Sequence, residues 1–220
     1  MDYHRVLVMA CATVIEEMLP LFPPGIRHQV FDFGLHINPE KLRAALQEAV
    51  NTAPEDVDTI ILGYGMCSRG VIGLRSERST LVVPRVDDCI AIFLGSRDAY
   101  NQQAHAEPGT YYLTKGWIEA GDTPFTEHER MVAKYGEARA NRLIQAMLAN
   151  YTRLALINTG KYDLEHYRDY ARRTAERFGL RYEEIDGTNE VVHKMLFGPW
   201  DAGFVVVPPG EEIQLRHFME

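Results

Sequence analysis

Three cysteines in 220 residues are too few and too scattered for a secreted disulfide framework. Cys11, Cys67 and Cys89 are odd in number and form no CxxC pair. The sequence also lacks an apolar run long enough to span a bilayer and a basic-then-apolar leader, so the expectation is a cytoplasmic protein with no membrane role. Clusters of Lys and Arg are missing too, and a formal net charge of −8 argues against nucleic acid and anionic lipid as partners. No G-x-G-x-x-G with a downstream acid and no Walker A sequence occurs, which argues against dinucleotide and P-loop sites. No G-x-S-x-G surrounds Ser68 and no His–Asp partner can be read for it, which argues against hydrolase chemistry.

What is present is an alternation of short apolar runs with helical patterns. Arg5–Ala10, Gln29–Phe33, Thr59–Leu62 and Thr80–Pro84 read as strands, with helical spacing over Thr13–Phe22, which sets Glu16 and Glu17 opposite the apolar side, and after the Asn38-Pro39 cap. The pattern restarts after residue 150 with strands over Arg153–Asn158, Leu180–Ile185 and Phe204–Val207. The fold class expected is α/β: two Rossmann-like halves with mainly parallel sheets and helices on both faces. Residues 1–125 would form the first half. Residues 126–220 would form a βαβαβ half, preceded by a linking helix that is either continuous or divided at Gly136.

In a parallel sheet the carboxyl ends of the strands share one edge, where ligands bind. Cys11, His36, Cys67 and Cys89 each follow a predicted strand, so all four are expected at that edge as metal ligands. Three inert packing thiols would sit more naturally inside strands or on helix stripes. Cys67 lies in the turn Gly63-Tyr64-Gly65-Met66-Cys67-Ser68-Arg69-Gly70, where Gly63 and Gly65 let backbone N–H groups approach a bound group. Two centres suit three separate thiols. One is a [4Fe–4S] cluster with an open iron, the favoured reading, by analogy of site design with quinolinate synthase; the other is Zn²⁺ with His36 or an exogenous fourth ligand.

Arg69 and Arg85 adjoin ligand cysteines and would lower a thiolate pKa or bind a substrate carboxylate. Tyr64 and Glu16 are acid–base candidates, against the plainer readings of a packed tyrosine and a solvated helix glutamate. In the second half, Thr159, Gly160, Thr188 and Asn189 stand at strand ends that lead into helices. They suit a carboxylate or phosphate, though also ordinary caps. Tyr111, Tyr112 and Trp117 read as core or subunit contact. A small anionic substrate and a homodimer complete the expectation.

Several blocks together resemble an uncharacterised family whose members are often encoded beside corrinoid-dependent methyltransferases of methylamine or betaine metabolism. They include Ala10-Cys11, Asp32-Phe33-Gly34-Leu35-His36, Gly63-Tyr64-Gly65-Met66-Cys67, Pro84-Arg85-Val86-Asp87-Asp88-Cys89-Ile90 and Gly116-Trp117-Ile118-Glu119. The resemblance implies one-carbon or methyl-transfer chemistry, with a corrinoid methyltransferase as a partner, and supplies no reaction. His often stands in that family where Asp88 stands here, so the resemblance gives position 88 no role as a nitrogen ligand. A metalloenzyme and a non-catalytic metal, cluster or corrinoid carrier both fit.

Overall fold

The fold is known from a computed structural model, which describes residues 1–120, 123–160 and 163–219. In chain order the elements are β1 (Val6–Cys11), α1 (Ala12–Met18), β2 (Arg27–Phe31), α2 (Pro39–Asn51), β3 (Thr59–Gly63), β4 (Thr80–Pro84), α3 (Cys89–Leu94) and α4 (Arg97–Ala106). They continue with β5 (Thr110–Leu113), α5 (Lys115–Ala120), α6 (Pro124–Tyr135), α7 (Glu137–Leu148), β6 (Arg153–Asn158), α8 (Leu164–Phe178), β7 (Arg181–Asp186), α9 (Glu190–Phe197) and β8 (Phe204–Val207). The α/β class, with mostly parallel strands and helices on both faces, is as the sequence predicts.

Local chemistry explains the punctuation. Asn38 accepts from the Lys41 N–H at 3.1 Å and Pro39 opens α2, which satisfies one orphan donor and needs no N–H at the first position. Gly136, at φ +77, separates α6 from α7, and Gly179, left-handed at φ +70, closes α8. Among the described residues no helix is long and apolar enough to cross a membrane.

The first sheet runs β2-β1-β3-β4-β8 and the second β5-β6-β7. The strands β2, β1, β3 and β4 are parallel. The chain moves from β1 out to β2 and returns past β1 to β3, so the direction of winding reverses between β1 and β3. That reversal is the switch point at which such sheets open a crevice beyond the strand ends.

The sheets do not follow the division at residue 125. Phe204–Val207 does not close the second half: β8 pairs antiparallel with β4, Leu81 opposite Val207 and Pro84 opposite Phe204. Thr110–Leu113 belongs to the second sheet, parallel to β6. The cause is that a four-residue apolar run records neither partner nor direction, and an antiparallel edge strand on a parallel sheet is common. The two layers meet closely. A Cβ on Gly116 of α5 would lie 2.2 Å from the Thr13 carbonyl oxygen of α1, so only glycine allows those two backbones to approach.

Candidate functional site: three thiols at the switch point

Each thiol is placed by a different element. Cys11 ends β1 and caps α1 with extended backbone. Cys89 opens α3, whose start is fixed by Asp88: its Oδ1 accepts from Ile90 N–H at 2.9 Å and Ala91 N–H at 3.4 Å. Cys67 begins a short 3-10 turn beyond β3. Its loop is laced to the loop after β4, because Met66 N–H donates to Val86 O at 2.8 Å and Cys67 N–H to Asp87 O at 2.9 Å. Gly65 makes that approach possible, since a Cβ there would stand 2.7 Å from both Val86 O and Asp88 N. At the root of the crevice a Cβ on Gly63 would meet the Ala10 Cβ at 2.5 Å.

The turn is strained. Cys67 has φ +45 and Arg69 φ +73, left-handed conformations that cost non-glycine residues about 1–2 kcal/mol each. Strain kept at two neighbouring positions marks a segment whose shape is held by its surroundings, as functional loops are.

All three cysteines, with His36 from the turn after β2, line one cavity of about 740 Å³. Burial pushes the Cys11 thiol up to about 11. Burial, then the neighbouring Cys11, push Cys67 up to about 12, with the Gly65 backbone N–H working in the opposite direction. Burial, then Cys11 and Cys67, hold Cys89 well above the ordinary thiol range. Tyr64, 3% exposed, is raised by burial and then by all three thiols. The four groups therefore share one electrostatic environment, in which each negative charge opposes the next. The Tyr64 hydroxyl has no hydrogen-bond partner among the described residues. No group of three or more His, Cys, Asp or Glu side chains among the described residues is arranged to hold a metal ion.

Of the other expected site residues, Gly63 and Tyr64 line this cavity. Gly65 stands behind it as the point of loop contact and as the N–H beside the Cys67 sulfur. Arg69 is exposed and outside the lining. Arg85 donates its backbone N–H to Gly203 O at 2.8 Å and lines a second cavity of about 530 Å³ with Arg97 and Lys194. The antiparallel β8 turns it away from the thiols. The polar strand ends of the second sheet are also elsewhere. The Thr159 hydroxyl donates to Glu17 Oε2 at 2.7 Å and Asn189 Nδ2 to Thr159 O at 2.9 Å. The Gly160 N–H is taken by Asn158 Oδ1 at 2.9 Å and the Thr188 N–H by Phe93 O at 2.8 Å. Thr188 lines the second cavity. Glu16 pairs with Lys115 at 3.2 Å, and the Ser68 side chain lies outside the described residues.

Two features were not read from sequence. Tyr111, Tyr112 and Trp117 face the thiol cavity, together with Tyr100 and Tyr151. The clustering of aromatics around positions 100–117 was the available signal. Glu17, placed with Glu16 on a solvated face by helical spacing, is 1% exposed, because α1 is covered by the sheet on one side and by α5 on another. Burial raises its pKa, against the Thr159 hydroxyl, Lys115 and the Gly116 N–H, which lower it, and Glu16, which adds to the rise.

A carboxyl raised in the fold stabilises most when protonated, below its ordinary value of 4.5, and that stability is lost as pH climbs toward the folded value. Glu17→Gln keeps an acceptor for Thr159 and removes the buried charge. It should gain about 1 kcal/mol at pH 7.5 and little at pH 4.5 by urea denaturation. Equal effects at the two pH values would refute this.

A family model described as a protein of unknown function (DUF1638) matches residues 30–196, well over half of the chain. The chain belongs to that family. The match to DUF1638 takes in His36, Cys67 and Cys89 and begins after Cys11. Comparison with curated proteins and with solved structures gave no match.

Proposed function

We propose that this DUF1638 protein is a metalloenzyme in which Cys11, Cys67 and Cys89 hold a [4Fe–4S] cluster, in preference to zinc, beneath a substrate cavity. The observation that carries the reading is the convergence of three thiols from three strand ends on one cavity at the switch point. Single cysteines brought together from separate strand ends suit the corners of such a cluster. Mutually opposing thiols, one buried and two partly buried, are stabilised as thiolates by a positive centre.

Held by Cys11, Cys67 and Cys89, such a centre would supply a Lewis acid to a substrate in the cavity. The remaining work belongs to the chain. Asp88 fixes the start of α3 and so the Cys89 sulfur, and the Gly65 N–H favours the charged form of Cys67. Tyr64 presents a hydroxyl for a proton transfer or a hydrogen bond to bound substrate. A pure carrier would expose Tyr111, Tyr112 and Trp117 as a docking patch, but Trp117 is buried and the tyrosines are half-buried around the cavity, which favours an enzyme. One-carbon or methyl-transfer metabolism, with a corrinoid methyltransferase as partner, stays part of the proposal on the strength of the resemblance.

Anaerobic reconstitution with ferrous iron and sulfide should raise the Tm of the wild type by about 5–10 °C through preferential binding to the fold. It should leave the Cys11→Ser/Cys67→Ser/Cys89→Ser protein unmoved; equal shifts in the two would defeat the proposal. Tyr64→Phe should stabilise the metal-free protein by about 1 kcal/mol, because a buried hydroxyl without a partner costs about 1–3 kcal/mol. A loss of stability would show that the hydroxyl already serves the fold.

A further inference from the structure

The walls above the thiols carry aromatic rings and carboxylates. Tyr100, Tyr111, Tyr112, Tyr151 and Trp117 line the cavity, and so do Asp32, Asp87, Asp88 and Glu107. Among the described residues lining it there is no Lys or Arg. Two of the acids are already paired from outside: Asp87 with Arg97 at 2.8 Å and Glu107 with Arg181 at 2.6 Å. Arg153, on β6, is outside the lining but touches its edge: its Nε donates to Thr110 Oγ1 at 2.7 Å, and its guanidinium is held by Glu183 at 3.1 Å and Gln103 at 2.9 Å. Asp32 and Asp88 remain, and each accepts only backbone N–H groups in the hydrogen bonds described.

An anion entering this space would meet aromatic rings, carboxylates, sulfur and the single imidazole of His36, and no lysine or arginine. A cation meets the negative faces of aromatic rings, an attraction of about 0.5–2 kcal/mol per ring that grows as water is removed. Tyr100 and Tyr112 stand 6.4 Å apart, centroid to centroid, tilted at 48°, and Tyr111 and Tyr151 stand 5.4 Å apart at 68°. They are held as angled panels and are not stacked on one another. A volume of about 740 Å³ is in the range of small-molecule sites.

We infer that this cavity receives an organic cation, an ammonium group seated against the aromatic wall with Asp32 and Asp88 as its carboxylate partners. The inference rests on the reading of this cavity as the substrate site, and it replaces the small anion expected from the sequence. It assigns Tyr100 and its neighbours to recognition, with the thiols left to the metal.

The test is equilibrium binding of tetramethylammonium, of the similarly sized neutral tert-butanol, and of acetate, followed by tryptophan fluorescence with Trp117→Phe as the control for signal origin. Anaerobically reconstituted protein and the triple Cys→Ser protein are titrated in parallel, and metal content is measured on each. Tetramethylammonium should bind at least about tenfold more tightly than either competitor. Tyr100→Leu should weaken it about tenfold, while Tyr100→Phe, which keeps the ring face, should retain it. Preference for tetramethylammonium in wild-type protein that holds no metal after reconstitution supports the recognition wall and counts against the metal centre, and the same preference in the triple Cys→Ser protein supports the wall alone. Preference for acetate or tert-butanol in fully loaded protein overturns the cation assignment and leaves the metal centre standing. Equal binding by Tyr100→Leu and wild type overturns the assignment as well.

Discussion

Cys67→Ser should reduce the metal bound after reconstitution to less than about a tenth of the wild-type content, while the metal-free protein keeps its fold. The side chain is nearly isosteric, and the positive φ of +45 at this position burdens serine no more than cysteine. The metal-free stability should therefore change by about 1 kcal/mol or less. The metal responds differently because a three-thiolate centre that loses one ligand also loses the charge that balances the ion. Cys11→Ser and Cys89→Ser should behave alike, since both line the same cavity, from the ends of β1 and β4 on either side of β3. Metal analysis and circular dichroism on the same preparations separate the two effects. Retention of metal by Cys67→Ser would remove it from the ligand set.

Gly65→Ala should cost about 3 kcal/mol in unfolding free energy and take metal binding with it. The added methyl would stand 2.7 Å from Val86 O, 2.7 Å from Asp88 N and 2.9 Å from Asp87 C. All three are backbone atoms that cannot rotate aside. The loops after β3 and β4 must then part, and the hydrogen bonds from Met66 N–H to Val86 O and Cys67 N–H to Asp87 O, at 2.8 and 2.9 Å, are lost with them. These loops carry Cys67 and Cys89, so the thiols separate as well. Gly179→Ala is the comparison. It suffers the left-handed strain of φ +70 but meets nothing within 4 Å, so it should cost about 1–2 kcal/mol and leave the metal in place. Urea titration of both variants checks the contrast, and similar losses in the two would show that loop contact at Gly65 is not what matters.

The part of the site that could be read from the sequence is the part governed by strand polarity. Cys11, His36, Cys67 and Cys89 follow parallel strands, and parallel strands deliver their carboxyl ends to one edge whatever the intervening helices do. Arg85 was misjudged because its direction is set by β8, a partner nearly 120 residues away in sequence that approaches antiparallel. Glu17 was misjudged because helical spacing assumes one buried face, and α1 has two, one against the sheet and one against α5 at Gly116. Thr159, Gly160, Thr188 and Asn189 carry the composition of an anion cradle, but Phe93, Glu17 and Asn158 take up their polar groups. The ring wall was hidden because β5 joins the second sheet and so turns Tyr111 and Tyr112 toward thiols that are distant in sequence. Polarity along a strand is a local property, whereas partner choice between sheets is tertiary.

The most direct measurement is iron, sulfide and zinc per chain, with an absorption spectrum, on protein purified without oxygen. The account predicts about four irons and four sulfides per chain and a broad brown band near roughly 400 nm. One tightly held zinc without colour would keep the three-thiolate centre and replace the cluster. Neither metal, even after anaerobic reconstitution, would contradict the account and return Cys11, Cys67 and Cys89 to the status of packed thiols.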